Sequence, residues 1–401
     1  MISVIWLRTK FNALYCFNKP LIYFDNASTT QKPWFILNVF RYLNYNICSN
    51  PGRSQYYVAF LLSNILNESR TYLKHVFLKC TNYECVIYKS VTEIINAVYN
   101  NYWFIRKKTT ILTCIDSHHS VIAPIYGKLD IFTLNVVGLD HDFIPNVRQY
   151  LNYIKNNISL LMFNHMSNVI GILIPIRLYS YFKGDNMTFI VDGSQSVPHF
   201  EVNIESINCN AYLLSAHKLY SFSNMGICFG RKNFLNDLNP LILGGGGVHK
   251  IKLKPFKCFL NNIPDKHESG SPTSFGLTCL SEIIRWKTKI SSTHEKHICR
   301  YLWYKLSSIK GINLIGNWQP SSRLISFTID NMPSYEVNKL LNKFMICIRS
   351  GYHCTTPLIE YLGKSTVCRI SIGLYNTYKD ADMLIYGIKI LNINTTRKIL
   401  C

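Results

Sequence analysis

Three short runs carry side chains able to do covalent chemistry. In CIRSGYHCTTP, Cys354 follows a glycine, an aromatic residue and a histidine, with Arg349 five residues upstream. A cysteine so placed could be a nucleophile, a metal ligand or packing. In AYLLSAHK, Lys218 closes an apolar run; a lysine at the edge of a dry crevice has a lowered pKa, which favours an imine with an aldehyde cofactor. In FIVDGSQS, Asp192 closes another apolar run 26 positions earlier, where an unpaired carboxylate is costly. A protonated pyridine nitrogen would partner it, as pyridoxal phosphate needs if its ring is to accept electrons.

Both residues belong to a series. Between about residues 80 and 235, short β-branched runs end in polar residues: ECVIYKSVTE, TTILTCIDSHH, LDIFTLNVV, SLLMFNHMSN, TFIVDGSQS and AYLLSAHKLY. Helix-length segments separate several of them, such as 144–157, where Pro145 suits a first helical turn. This alternation predicts an α/β chain with a mostly parallel sheet covered on both faces, its functional groups gathered at the strands' carboxyl ends. His118, Asn168, Asp192, Gln195, His217 and Lys218 then share one crevice. After about residue 285 the pattern changes to amphipathic helix, the runs LISFTID and FMICIRSG, and a final helix over 378–392. That reads as a smaller α+β domain.

Bulk composition excludes several classes. Of 401 residues, 48% are hydrophobic and 16% charged, so the chain is globular and large enough for a substantial core. The 14 cysteines include no C-x-x-C pair, which argues against a metal or disulfide framework and for a reducing, cytoplasmic setting. The first twenty residues lack the apolar core of a signal peptide. Residues 156–176 have no Asp, Glu, Lys or Arg, yet Asn164, His165, Ser167 and Asn168 in their middle favour a buried strand and polar loop over a membrane span. Lys and Arg total 43 against 22 acids, a net +21. Because these charges are dispersed, with KIKLKPFK the densest cluster, and the chain is crowded with Asn, Ile, Lys and Tyr, we expect neither a nucleic-acid nor a membrane partner. LILGGGGVHK has no phosphate-loop spacing and reads as a loop or hairpin.

The runs YFDNASTTQKP, VTEIIN, DSHHSVIAP, NHMSNVIG, VDGSQSVPH, SAHKLY, ESGSPTS, RSGYHCTTP and CRISIGLYNT occur in the order and approximate spacing of SufS-type (group II) cysteine desulfurases, and the chain resembles that family over nearly its whole length. The resemblance implies a fold-type I pyridoxal phosphate enzyme. Its large α/β domain, with a mostly parallel seven-stranded type of sheet, would cover 20–288, and a small α+β domain carrying the cysteine loop would cover 1–19 and 289–401. It also implies roles. Lys218 resembles the Schiff-base lysine, Asp192 the partner of the pyridine nitrogen, Gln195 the donor to the phenolic oxygen, and His118 the histidine stacked on the ring, with His119 its structural neighbour. Thr92, Ser215 and His217 match phosphate-binding positions. Ser271 matches a hydroxyl residue reaching the phosphate from the partner subunit, which implies a homodimer. Asn168 and Arg369 match groups that hold the substrate carboxylate, and Arg349 an arginine before the catalytic loop.

On this resemblance Cys354 takes sulfur from L-cysteine as a persulfide and alanine leaves, with Arg349 or His353 favouring the thiolate and Gly351 giving the loop its freedom. The short RSGYHC arrangement implies a SufE- or SufU-like sulfur acceptor and an iron–sulfur assembly scaffold of the Suf type. Departures from the pattern are Ser221 and Phe222 in place of Gly-Pro, Ser54 and Tyr56 in NPGRSQYY, Ser271 for threonine, and Val91 where a hydroxyl residue is common. The competing readings are a selenocysteine lyase, a kynureninase-like or aminotransferase enzyme, and a decayed, non-catalytic scaffold.

Overall fold

A computed structural model describes residues 4–52, 55–104, 108–271 and 273–400, so Arg53 and Ser54 lie outside the described residues. A two-residue strand, β1 (Ile22–Tyr23), comes first. Seven strands follow: β2 (Tyr83–Tyr88), β3 (Thr109–Cys114), β4 (Phe132–Val137), β5 (Leu160–Asn164), β6 (Thr188–Asp192), β7 (Ala211–Ser215) and β8 (Gly226–Arg231). They form one sheet in the order β2-β8-β7-β6-β5-β3-β4. Only β8 runs antiparallel to its neighbours, so the sheet is mostly parallel, as the alternating runs predict.

The apolar runs are continuous because both faces are covered. Ile87, Leu112, Leu161, Val191, Leu214 and Ile227 point to one core, whereas Val86, Ile111, Met162, Ile190, Leu213 and Cys228 point to the other. The second core is closed by the helix Val91–Phe104 through Ile94, Ile95 and Val98. Residues 156–176 become β5 and a polar loop, and among the described residues no helix is long and apolar enough to cross a membrane.

One local expectation is corrected. The helix expected over 144–157 is Val147–Ile154; Asn146 caps it by accepting the Gln149 N–H (3.0 Å), which leaves Pro145 outside the first turn. The glycine run is a loop that enters a hairpin, β9 (Val248–Leu253) and β10 (Phe256–Leu260), whose turn is Lys254-Pro255.

The carboxyl-terminal third builds an antiparallel sheet from β11 (Ile312–Ile315), β12 (Leu324–Ile329), β14 (Arg349–Gly351) and β15 (Val367–Ser371), in the order β11-β12-β15-β14. The helices Thr293–Ser307 and Tyr378–Leu400 share its core through Ile298, Leu302, Leu384 and Ile388. A further short strand, β13 (Ile346–Cys347), pairs in parallel with β1, and Ile22 and Phe24 join this core. Residues just after 20 therefore pack with the carboxyl-terminal unit.

Candidate active site

Four parallel strands end at one edge of the large sheet, and the chain beyond each supplies one wall of a cavity of about 250 Å³. His118 and Ser120 follow β3, Asn168 follows β5, Asp192 ends β6, Ser215 ends β7, and His217 and Lys218 follow it. Ser90, Val91 and Thr92 come from the start of a helix, and Arg349, His353, Cys354 and Arg369 from the antiparallel sheet and its loop. Every residue to which the resemblance assigns a catalytic, cofactor or substrate role except Ser271 thus lines one space. Ser271 is exposed and borders two other clefts beside Thr273.

Lys218 sits in a turn of 3-10 helix directly after the fully buried β7. Burial pushes its pKa below the ordinary lysine value, while the Asp192 carboxylate pulls the other way. The turn behind it has Ser221 and Phe222 where the resemblance would place Gly-Pro. Instead Tyr220 takes a left-handed conformation (φ +62°), its N–H donating to Thr30 Oγ1 (2.8 Å) and its hydroxyl accepting from the Leu374 N–H (3.0 Å).

Asp192 Oδ1 accepts the Ser194 N–H (2.9 Å), and Gln195 Nε2 donates to the Ala27 carbonyl (2.8 Å). His118 caps the short helix after it: its Nδ1 accepts the Ser120 N–H (3.1 Å), so the ring proton belongs on Nε2. Burial, aided by Lys218, lowers its pKa to about 4, and the imidazole is neutral. His217 is lowered to about 4 as well, again chiefly by burial.

At the helix Val91–Phe104, Ser90 Oγ accepts the Glu93 N–H (3.1 Å), which restores a hydroxyl one residue before Val91. The S-x-x-E pattern of Ser90 and Glu93 is a readable capping signal that the sequence reading passed over. Gly226 lies against this corner. A Cβ there would stand 2.3 Å from the Ser90 carbonyl carbon and 2.5 Å from the Val91 nitrogen.

Cys354 occupies a loop with three positive φ angles, at Gly351 (+117°), His353 (+51°) and Cys354 itself (+57°). Nothing stands within 4 Å of a Cβ built on Gly351, so conformation and not space demands glycine there. Asn168 holds the loop through its amide, Nδ2 donating to the His353 carbonyl (2.8 Å) and Oδ1 accepting from Thr355 Oγ1 (3.0 Å). His353 is corrected as a source of charge. Its Nε2–H donates to the Val367 carbonyl (3.1 Å), and burial beside Arg369 drives its pKa to about 3, so the ring is neutral. The positive charge beside this loop comes from Arg349 and Arg369.

Arg369 donates to the Asn168 carbonyl (2.9 Å) and pairs with Asp25 (3.2 Å), leaving its Nε buried without a partner among the described residues. Arg349 donates to Ser28 Oγ. Asp25 and Ser28, and the contact of His119 with Thr356, were not foreseen, because they join positions hundreds of residues apart. Most other thiols are remote from this chemistry: burial pushes Cys80, Cys85, Cys209, Cys279, Cys299 and Cys368 up to about 12.

The profile of the aminotransferase class-V family matches residues 22–384. The chain belongs to that family. This class-V chain is 28% identical over 383 residues to a cysteine desulfurase of Wigglesworthia glossinidia brevipalpis, covering 92% of each chain. It is also 28% identical over 394 residues to a probable cysteine desulfurase of Xylella fastidiosa, covering 94% of this chain and 93% of that one. Its fold matches the cysteine desulfurase CsdA of Escherichia coli (TM-score 0.86, 23% identity, 97% and 98% of the two chains) and an apo cysteine desulfurase of Thermococcus onnurineus (TM-score 0.87, 23% identity, 93% and 95%). The class-V fold with its large, mostly parallel sheet is thereby shown.

Proposed function

We propose that this class-V protein is a pyridoxal phosphate-dependent cysteine desulfurase that converts L-cysteine to L-alanine and collects the sulfur on Cys354. The observation carrying the proposal is that Lys218, Asp192 and Cys354, far apart in sequence, line one cavity. The relatives named cysteine desulfurase support the same reaction.

The residues present fit the cofactor. Among the described residues the Lys218 ammonium makes no hydrogen bond, so it is available to the aldehyde, and Asp192 stands ready for a protonated ring nitrogen. The helix start at Thr92, with Ser215 and His217, suits a phosphate. Gln195 keeps one amide N–H for the phenolic oxygen. When bound, pyridoxal phosphate supplies an electron sink for the pair released at the substrate's α-carbon.

The chain's own groups do the rest. Lys218, its amine less basic than usual, takes and returns protons at Nζ, and the neutral His118 presents an N–H at Nε2. Asn168, Arg369 and Arg349 orient the substrate carboxylate. Cys354, as thiolate, attacks the substrate sulfur; an S–S bond forms as the substrate Cβ–S bond breaks, and the released electron pair ends with a proton in alanine's methyl group. A SufE- or SufU-like protein of the SufS-type, group II pathway then takes the sulfur toward iron–sulfur assembly in the cytoplasm. Ser271, lying outside its own cavity, serves the partner's site in a homodimer.

Single turnover with L-cysteine tests this reading, by following the visible cofactor band, alanine release and persulfide mapping by mass spectrometry. Wild type should carry persulfide on Cys354, Cys354→Ala should keep the band without releasing alanine, and Lys218→Ala should lose the band. A band without persulfide would redirect the reading to another lyase on this fold, and selenocysteine tried as substrate separates a selenocysteine lyase.

A further inference from the structure

The Cys354 loop has more holding it than the residues assigned to the reaction. Two consecutive non-glycine residues, His353 and Cys354, sit in left-handed conformations, which side chains resist. Such a loop persists only where its surroundings fix it. Asn168 grips it on both sides of the sulfur, at the His353 carbonyl and the Thr355 hydroxyl. A further grip, at Cys354 itself and at Thr356, belongs to His119.

Three hydrogen-bonding contacts of His119 reach the loop or the helix that leaves it. Its backbone N–H donates to the Cys354 carbonyl (2.7 Å). Its Nε2 accepts the Thr356 N–H (3.0 Å) and meets Thr356 Oγ1 at 2.9 Å. Thr356 opens the helix Thr356–Tyr361, so its amide is one of the donors that a helix start leaves without an internal partner. A side chain 237 positions away therefore caps that helix. The cap requires an unprotonated Nε2, the opposite tautomer from His118 next door.

We propose that His119 is a positioning residue that seats Cys354, through the Cys354 carbonyl and the amide of Thr356. It never touches the substrate. The inference deepens the desulfurase reading and rests on it for its kinetic consequence, though the loop geometry itself does not.

The test compares His119→Phe, which keeps the ring's bulk but removes the acceptor, with His119→Gln, which offers an acceptor near the Nε2 position. In the purified, cofactor-loaded protein, the rate at which iodoacetamide alkylates Cys354 is followed by mass spectrometry. His119→Phe should raise that rate about fivefold, the size expected for one lost hydrogen bond in a local opening equilibrium, and His119→Gln should return it toward wild type. With L-cysteine, His119→Phe should lower kcat about tenfold or more with KM unchanged, as misplacement of a reacting group would.

An unchanged alkylation rate in His119→Phe would overturn the proposal. If that variant does not fold, Thr356→Val, which strips one contact from the ring, carries the same comparison: faster alkylation supports the role and an unchanged rate sinks it. Wild-type protein that releases no alanine would end the desulfurase reading, while the alkylation comparison would still decide the role of His119.

Discussion

Arg349 and Arg369 are register partners on the antiparallel strands β14 and β15, and both face the cavity that holds Cys354. Like charges directly opposite one another repel. Asp25 offsets only part of this, pairing with Arg369 at 3.2 Å, and burial, with Arg349 adding to it, lowers the Arg369 pKa to about 10. The surplus positive charge makes this wall a seat for an anion. Arg369→Lys, which keeps charge but loses the planar fork, should raise KM for L-cysteine about tenfold with a smaller change in kcat. Cysteamine, which lacks the carboxylate, should be a poor substrate for wild type; steady-state assays of both would reveal an equal KM if the wall has another purpose.

Gly226 sets the depth of the corner at Ser90 and Val91. Because a Cβ would intrude to 2.3 Å on backbone, Gly226→Ala must displace the helix start. Overpacking of this kind costs about 1–3 kcal/mol, which is about fivefold to a hundredfold in affinity. Equilibrium titration with pyridoxal phosphate should show that loss in a variant that still unfolds cooperatively. Wild-type affinity would mean the phosphate sits elsewhere.

Burial lowers His118, His165 and His217 to about 4 and His353 to about 3, against 6.5 for a free imidazole. Between those limits the unfolded chain binds more protons than the folded one, so stability is full above about pH 6.5 and falls as the pH drops toward 4. His199 and His267 are lowered by burial in the same way. Asp116, raised by burial to about 6, works in the opposite sense, since the folded chain holds its proton there, as do Asp25, Glu268 and Asp380, also raised by burial. Six lowered rings outnumber four raised carboxyls. The urea midpoint should therefore be lower at pH 5 than at pH 7, and a midpoint independent of pH would contradict the neutral assignment of these rings.

The turn behind Lys218 offers a stability test of its own. Tyr220→Phe leaves the Leu374 N–H without its acceptor in a buried place, which should cost about 1–3 kcal/mol in urea unfolding. A loss near zero would show that Leu374 finds another acceptor.

Most of the sheet and most of the cavity were legible in the sequence because both rest on local signals. A β-branched run buried on two faces announces a parallel strand, and the polar residue ending it, as at Asp192 or Lys218, must lie at the sheet edge. What the sequence hid is what depends on pairing across it. Asp25 with Arg369, and His119 with Thr356, have no local signature. His353 illustrates a different failure: a histidine beside a cysteine suggests charge, but its titration is decided by burial and by Val367, neither of which can be read from RSGYHC. Pro145 misled for a simpler reason, since Asn146 supplies a better cap one residue later.

Burial of the remaining cysteines bears on fidelity. If the chain is the desulfurase proposed above, its many sulfhydryls would put mobile sulfur at risk of scattering over its own surface. With Cys80, Cys85, Cys209, Cys279, Cys299 and Cys368 sealed in apolar cores and kept protonated, those six are silent bystanders, and only Cys16, Cys48 and Cys258 stand exposed among the described residues. Addressing of the cargo is thus accomplished by concealment: the fold leaves the wrong recipients present but deaf.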